Sequence, residues 1–162
     1  MNYKMNGIRY FVLAAAGSIC LAQTKPGEDP KSLANAPGKE TVILVCTGCH
    51  TFGNFTRFRK TPDAWADTVS DMQTRGAEAS DKEIDQLIAY LGKNYGPTSK
   101  VNVNIAPVEE LKSMLDLSTP QAQSVIDYRG AHGDFGGIGD LAKVPGLDPK
   151  QLEAKKDVIA FH

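Results

Sequence analysis

Apolar residues recur at helical intervals from Lys39 onward, and the polar residues between them carry start and stop signals. Val42, Ile43, Val45 and Cys46 predict a short first helix. Thr61-Pro62-Asp63 combines an N-cap, a proline in the first turn and an acid beside it. The helix it opens should run through Trp65, Val69 and Met72, spaced to share one face, and stop near Gly76. Ser80-Asp81-Lys82-Glu83 is a capping box ahead of Ile84, Leu87, Ile88 and Leu91, and Gly96-Pro97 closes that helix.

Pro97 to Lys100 reads as a short polar hinge, after which the pattern repeats in a looser form. Val101 to Ala106 leads into a helix with Leu111, Met114 and Leu115 on one face. Thr119-Pro120 starts another, carrying Ala122, Val125, Ile126 and Tyr128 and ended by Gly130. A glycine-rich loop through Phe135 and Ile138 reaches an apolar turn, Leu141 to Val144, then Pro145-Gly146-Leu147. Asp148-Pro149 caps a final helix with Leu152 and Val158. The expected fold class is therefore all-α, with two small domains, the second built from two helix-turn-helix units in tandem.

Ahead of both, Lys4 and Arg9 precede an apolar segment from Tyr10 to Ala22 that is short for a bilayer span and is followed by polar residues. Residues 1–22 read as a cleaved secretory signal peptide. Lipid attachment at Cys20 is the less favoured alternative, because Ile19 stands where a small residue is needed. Residues 23–37 have no apolar period and read as a flexible linker. With 162 residues and a net charge of −1, the chain gives no bulk electrostatic signal for nucleic acid or an acidic membrane.

The most specific chemistry lies in Cys46-Thr47-Gly48-Cys49-His50. Two cysteines three positions apart with a histidine next is the attachment signal for a c-type haem. Each thiol can add to a vinyl group, and His50 would ligate the iron. A zinc site would need further Cys or His ligands nearby, and His132 and His162 lie far downstream. A thiol redox centre would leave His50 without a role. Between this motif and Thr61, a loop carries Phe52, Phe55 and Phe58 with Arg57, Arg59 and Lys60. The aromatics read either as a haem-pocket lining or as core, and the cations either as partners for propionates or a redox protein, or as a solvated edge. Met72 is the expected second axial ligand, its thioether favouring electron transfer over oxygen chemistry.

Residues 38–97 resemble a short class of monohaem cytochrome c domain, through Cys46 to His50, then Trp65, Val69, Met72 and Gly76, and the ending Tyr90, Leu91, Tyr95, Gly96. The resemblance implies one covalent haem c, with His50 proximal and Met72 distal, and a role as an electron carrier for a periplasmic oxidoreductase.

Residues 101–162 resemble the tandem helix-hairpin-helix domain of the competence DNA-uptake receptor family. The matching positions are Asn102, Asn104, Ala106, Leu111, Tyr128, Arg129, Gly133, Phe135, Asp140, Leu141, Val144 and Gly146. In that family, backbone N–H groups at a glycine-bearing turn hold phosphate. Here the first turn, Leu115-Asp116-Leu117-Ser118, has no glycine, the second has Asp148 in place of one, and acids outnumber bases across the segment. These departures favour a docking module, of the kind seen in a small lumenal subunit of photosystem II that it resembles, over a DNA binder.

The leading expectation is thus an exported monohaem c-type cytochrome carrying single electrons to or from a periplasmic oxidoreductase, docked through its C-terminal domain. No nucleophile or acid–base pair is legible, so the reading is a carrier and not an enzyme. The alternatives are a DNA-binding or DNA-uptake accessory protein carrying a haem domain, and a haem sensor or peroxidase.

Overall fold

In the computed structural model of the chain, residues 29–162 are described. The expected signal peptide, Cys20 and residues 23–28 of the expected linker lie outside the described residues. The described residues are mostly helical: α1 (Lys39–Cys46), α2 (Gly53–Thr56), α3 (Pro62–Thr74), α4 (Asp81–Asn94), α5 (Val108–Leu115), α6 (Thr119–His132), α7 (Ile138–Leu141) and α8 (Pro149–Ala154). Two short strands, β1 (Val101–Asn102) and β2 (Ile159–Ala160), pair in parallel, Val101 opposite Ile159. The all-α class stands. Among the described residues no helix is long and apolar enough to cross a membrane.

The first half is built on α4, which packs against both α1 and α3. The N-caps act as their residue types require: the Thr61 hydroxyl accepts from the Ala64 N–H, and Ser80 and Glu83 complete a reciprocal capping box. Gly76, at φ +98°, takes the left-handed turn that stops α3. Trp65, Val69, Leu87, Tyr90 and Leu91 form the core with Val42 and Phe52, and the Trp65 Nε1–H donates to the Tyr95 carbonyl at 3.1 Å.

Two expectations for this half need correction. Residues 29–37 are not a free linker: a 3-10 turn, Pro30–Ser32, presents Leu33, which is 1% exposed. The Tyr90 hydroxyl then donates to the Ala34 carbonyl at 2.9 Å. One leucine in a polar stretch has no period to detect, yet burying it is worth about 2 kcal/mol and anchors the segment. The stretch 51–60 is not wholly loop either, since α2 is a single turn too short for periodicity to register.

The second half has its own core, in which Val101, Val103, Leu111, Leu115, Val125, Leu141 and Leu152 are almost wholly buried. Here α6 runs on to His132, past Gly130, and Gly133 at φ +84° ends it. The last helix stops at Ala154, and Val158 belongs to a 3-10 turn that swings the chain into β2. Asn104 fastens this closure: its Nδ2 donates to the Phe135 and Phe161 carbonyls, and its Oδ1 accepts from the Phe135 N–H.

The two halves are joined by more than the hinge. Arg59, in the loop after α2, reaches Glu110 on α5 at 2.7 Å, with both side chains nearly buried. The same guanidinium donates to the Ser99, Thr56 and Phe58 carbonyls. The Ser113 hydroxyl donates to the Arg57 carbonyl, so α2 and its following loop dock on α5.

Candidate functional site

The two hairpins of the second half place equivalent residues at equivalent backbone geometry. In the turn between α5 and α6, Asp116 adopts φ +55°, ψ +36°; in the turn before α8, Gly146 adopts φ +86°. Aspartate is among the few side chains that tolerate this region. Asp116 therefore does the work expected only of a glycine, and the sequence signal was its type. The next residue in each turn, Leu117 or Leu147, is buried and pins the turn to the core. The residue after that is an N-cap. Ser118 accepts from the Gln121 N–H, and Asp148 from the Lys150 N–H at 2.9 Å. The Asp148 carboxylate is thus folded back onto its own helix and is not a bare negative charge in the turn.

The turns brace each other. Gln121, three residues into the second helix of the first hairpin, donates to the Gly146 carbonyl at 2.9 Å. Gln151, the corresponding residue of the second hairpin, donates to the Leu115 and Asp116 carbonyls, each at 3.0 Å. Lys155 closes an ion pair on Asp116. The braced turns form one exposed face that includes Ser118, Thr119, Gly146, Asp148 and Lys150. On it, the N–H groups of Gly146 and Asp148 have no hydrogen-bond partner among the described residues.

The charge of this half is largely spent internally. Lys112 pairs with Glu109, Lys143 with Asp140 and Lys156 with Glu153. The paired carboxylates raise the Lys143 and Lys156 ammonium groups above their ordinary range. The Asp140 carboxyl is lowered by hydrogen bonds from Lys143 and the Gly136 N–H. The surplus of acids read from the sequence therefore does not describe the turn face, where Lys150 has no carboxylate partner among the described residues.

In the first half, Cys46 ends α1, half-buried against the core, and burial pushes its thiol up to about 11. Cys49 is exposed in the following loop. The His50 Nδ1 lies 3.1 Å from the Asn54 side-chain amide on α2. Holding one imidazole nitrogen fixes the ring and leaves Nε2 as the ligating atom. Met72 is half-buried on α3 but stands outside the apolar cluster that takes up Trp65 and Val69. The structure thus gathers Cys46, Cys49 and His50 on one stretch and keeps Met72 on a separate helix. Two thiols, an oriented imidazole and the exposed apolar side chains Leu44 and Phe58 in the same half suit a covalently held apolar group. Among the described residues, no cluster of three or more His, Cys, Asp or Glu is placed to hold a bare metal ion. The basic loop is not simply a solvated edge: Arg59 meets Glu110, and Lys60 donates to the Thr68 hydroxyl at 2.7 Å.

Residues 96–159 match the helix-hairpin-helix motif family. A stretch of 69 residues is 38% identical to endonuclease/exonuclease/phosphatase family domain-containing protein 1 of Rattus norvegicus, covering 43% of this chain and 12% of that protein. A stretch of 65 residues is 32% identical to an uncharacterised protein of Haemophilus influenzae, 40% of this chain and 58% of that one. ComE operon protein 1 of Bacillus subtilis is 36% identical over 64 residues, 40% of this chain and 31% of that protein. The chain thus spans less than two thirds of each of these relatives. No solved structure matches it significantly.

These matches overturn the expectation of a cytochrome whose function is electron transfer. The family model that fits lies on the hairpin half, and the named relatives align over a comparable length and are not named as cytochromes. A redox partner loses its basis with that role.

Proposed function

We propose that the protein binds DNA through its helix-hairpin-helix half, as an exported DNA-binding or DNA-uptake accessory protein and not as an enzyme. The observation that carries this reading is the pair of braced turns, which hold the unpartnered Gly146 and Asp148 N–H groups outward beside Lys150. Backbone N–H groups at such a turn suit phosphate oxygens and carry no base information, so the reading implies sequence-independent contact. The likeness to ComE operon protein 1 supports it, and the internal pairing of the lysines limits the attraction to a few phosphates.

The expected result is weak retention of duplex DNA at about 50 mM salt that is largely lost by about 200 mM. A log–log salt slope of about −2 corresponds to two or three phosphates neutralised. Lys150→Glu should weaken binding about tenfold, because it turns an unpaired cation into a repulsive charge next to the phosphate. Gly146→Ala should weaken it less. Its added Cβ meets nothing within 4 Å, so only backbone strain at φ +86° acts. Melting curves of both variants establish that they are folded. No retention by the wild type even at low salt would end the reading.

In the first half, Cys46 and Cys49 would hold a covalently attached haem c as a stabilising or sensing element, and His50 and Met72 are the residues that would ligate its iron. Such a group would supply apolar mass that a small core otherwise lacks. The oriented His50 ring and the half-buried Cys46 support the assignment. Intact mass spectrometry of the exported protein should show one haem added to the chain. Cys46→Ser with Cys49→Ser should remove it, and an unmodified wild-type mass sinks the assignment.

A further inference from the structure

The surface where the two halves meet encloses a cleft of about 940 Å³, on residues that the hairpin turns do not share. Its walls are fixed. One is the 29–37 segment, held by buried Leu33 and by the Tyr90 hydroxyl on the Ala34 carbonyl. The other is the β1–β2 pair with the Asn104 bracket to Phe135 and Phe161. Beneath them lies the Arg59–Glu110 junction, to which the Ser99 carbonyl is tied.

Four lysines line this cleft, each from a different segment: Lys31 in the 3-10 turn, Lys39 at the start of α1, Lys93 at the end of α4 and Lys100 ahead of β1. None of them forms an ion pair with a carboxylate among the described residues, whereas Lys112, Lys143, Lys155 and Lys156 on the hairpin half all do. Of the acids that line the cleft, Glu110 is held by Arg59, which leaves Asp134 as the exposed carboxylate opposite the four lysines. The cleft is therefore a concavity walled by hydrogen-bonded segments, with four lysines around it that no carboxylate among the described residues pairs.

We infer that this cleft binds a small polyphosphate anion of nucleotide size. Its volume is that of a small-molecule site. Lysine ammonium groups serve phosphate as point charges that need no fixed geometry, and four of them around the cleft suit several charges spread along one ligand. Its lining holds no exposed Phe, Tyr or Trp ring for a base to stack on, since Tyr95 is 4% exposed and His162 offers only an imidazole, so the polyphosphate and not the base sets the affinity. This goes beyond the DNA-binding reading and does not depend on it.

The test is calorimetric titration of the full exported protein with ATP and with inorganic tripolyphosphate at about 50 mM salt, where screening is weak. Both probes should bind with similar affinity, and affinity should fall as salt rises. Lys93→Glu and Lys100→Glu should each weaken binding about tenfold, about 1.4 kcal/mol. Lys82→Glu, an exposed lysine in the first turn of α4 that does not line the cleft, should leave it unchanged. Duplex binding is measured in parallel: Lys150→Glu that loses duplex while keeping tripolyphosphate separates the two sites. The inference is overturned by absence of binding in the wild type, by equal loss in Lys82→Glu, or by a short single strand that binds while ATP and tripolyphosphate do not.

Discussion

Arg59→Ala should lower stability by about 3–5 kcal/mol at neutral pH, because it leaves the Glu110 carboxylate buried without its partner. The Arg59 and Glu110 side chains are 11% and 6% exposed and meet at 2.7 Å, and the substitution also frees the Ser99 and Thr56 carbonyls. The pH dependence has a definite sign. Burial raises the Glu110 carboxyl to about 6 in the folded protein, and the Arg59 guanidinium only partly offsets it. A carboxyl raised above its ordinary value binds its proton more tightly when folded. Its contribution is full below the unfolded value of 4.5 and is lost as pH rises through about 6. Acidifying the wild type from pH 7 to 4.5 should therefore recover about 2 kcal/mol from this group. Without Arg59 the carboxyl rises further, so the deficit of the variant should shrink on acidification. Urea denaturation of both proteins at pH 7 and pH 5 checks this, and a deficit that is absent or unchanged by pH would show that the pair does not join the halves.

Trp65→Ala is the second large effect, with an expected loss of about 3–5 kcal/mol. The indole is 1% exposed, lies 5.1 Å from the Lys60 ammonium and donates its N–H to the Tyr95 carbonyl. Removing it opens a cavity between α3 and α4 and strands that carbonyl. Trp65→Phe should cost much less, about 1–2 kcal/mol, since it keeps most of the ring volume and loses mainly the hydrogen bond. If both variants fell equally in denaturation midpoint, the hydrogen bond and not the packing would dominate. If neither moved, the indole would not be core.

What the sequence disclosed was whatever is written locally. Thr61, Ser80 and Asp148 are short-range capping signals, and each sits at the helix start its pattern implied. The hairpin half was legible because its residue types recur at fixed offsets along one continuous segment. Long-range features were not. Arg59 and Glu110 are 51 positions apart, and nothing in either neighbourhood marks them as partners, so the sequence offers Arg59 only as a partner for propionates or a redox protein, or as a solvated cation. Leu33 is a single anchor without a period. That Asp116 can stand in for a glycine is hidden because spacing shows residue type and not backbone angle, and the bond that folds Asp148 onto the Lys150 N–H is invisible without coordinates. The functional error has the same root. A local haem-attachment motif outweighed a diffuse pattern whose meaning emerges only when both turns are seen braced together.

The pairing of β1 with β2 has a consequence for how this half travels between proteins. Val101 and Ile159 stand side by side, and Asn104 ties the loop at Phe135 to the chain end at Phe161, so the segment begins and ends at nearly the same place. A unit with adjoining ends can be spliced into a loop or appended to a terminus with little strain on its host. That suits a segment whose likeness occupies 12% of one relative and 58% of another. It also predicts that a circularly permuted version of residues 101–162, with its original ends joined and new ones opened between the exposed residues Gly133 and Asp134, keeps the two braced turns at the same spacing.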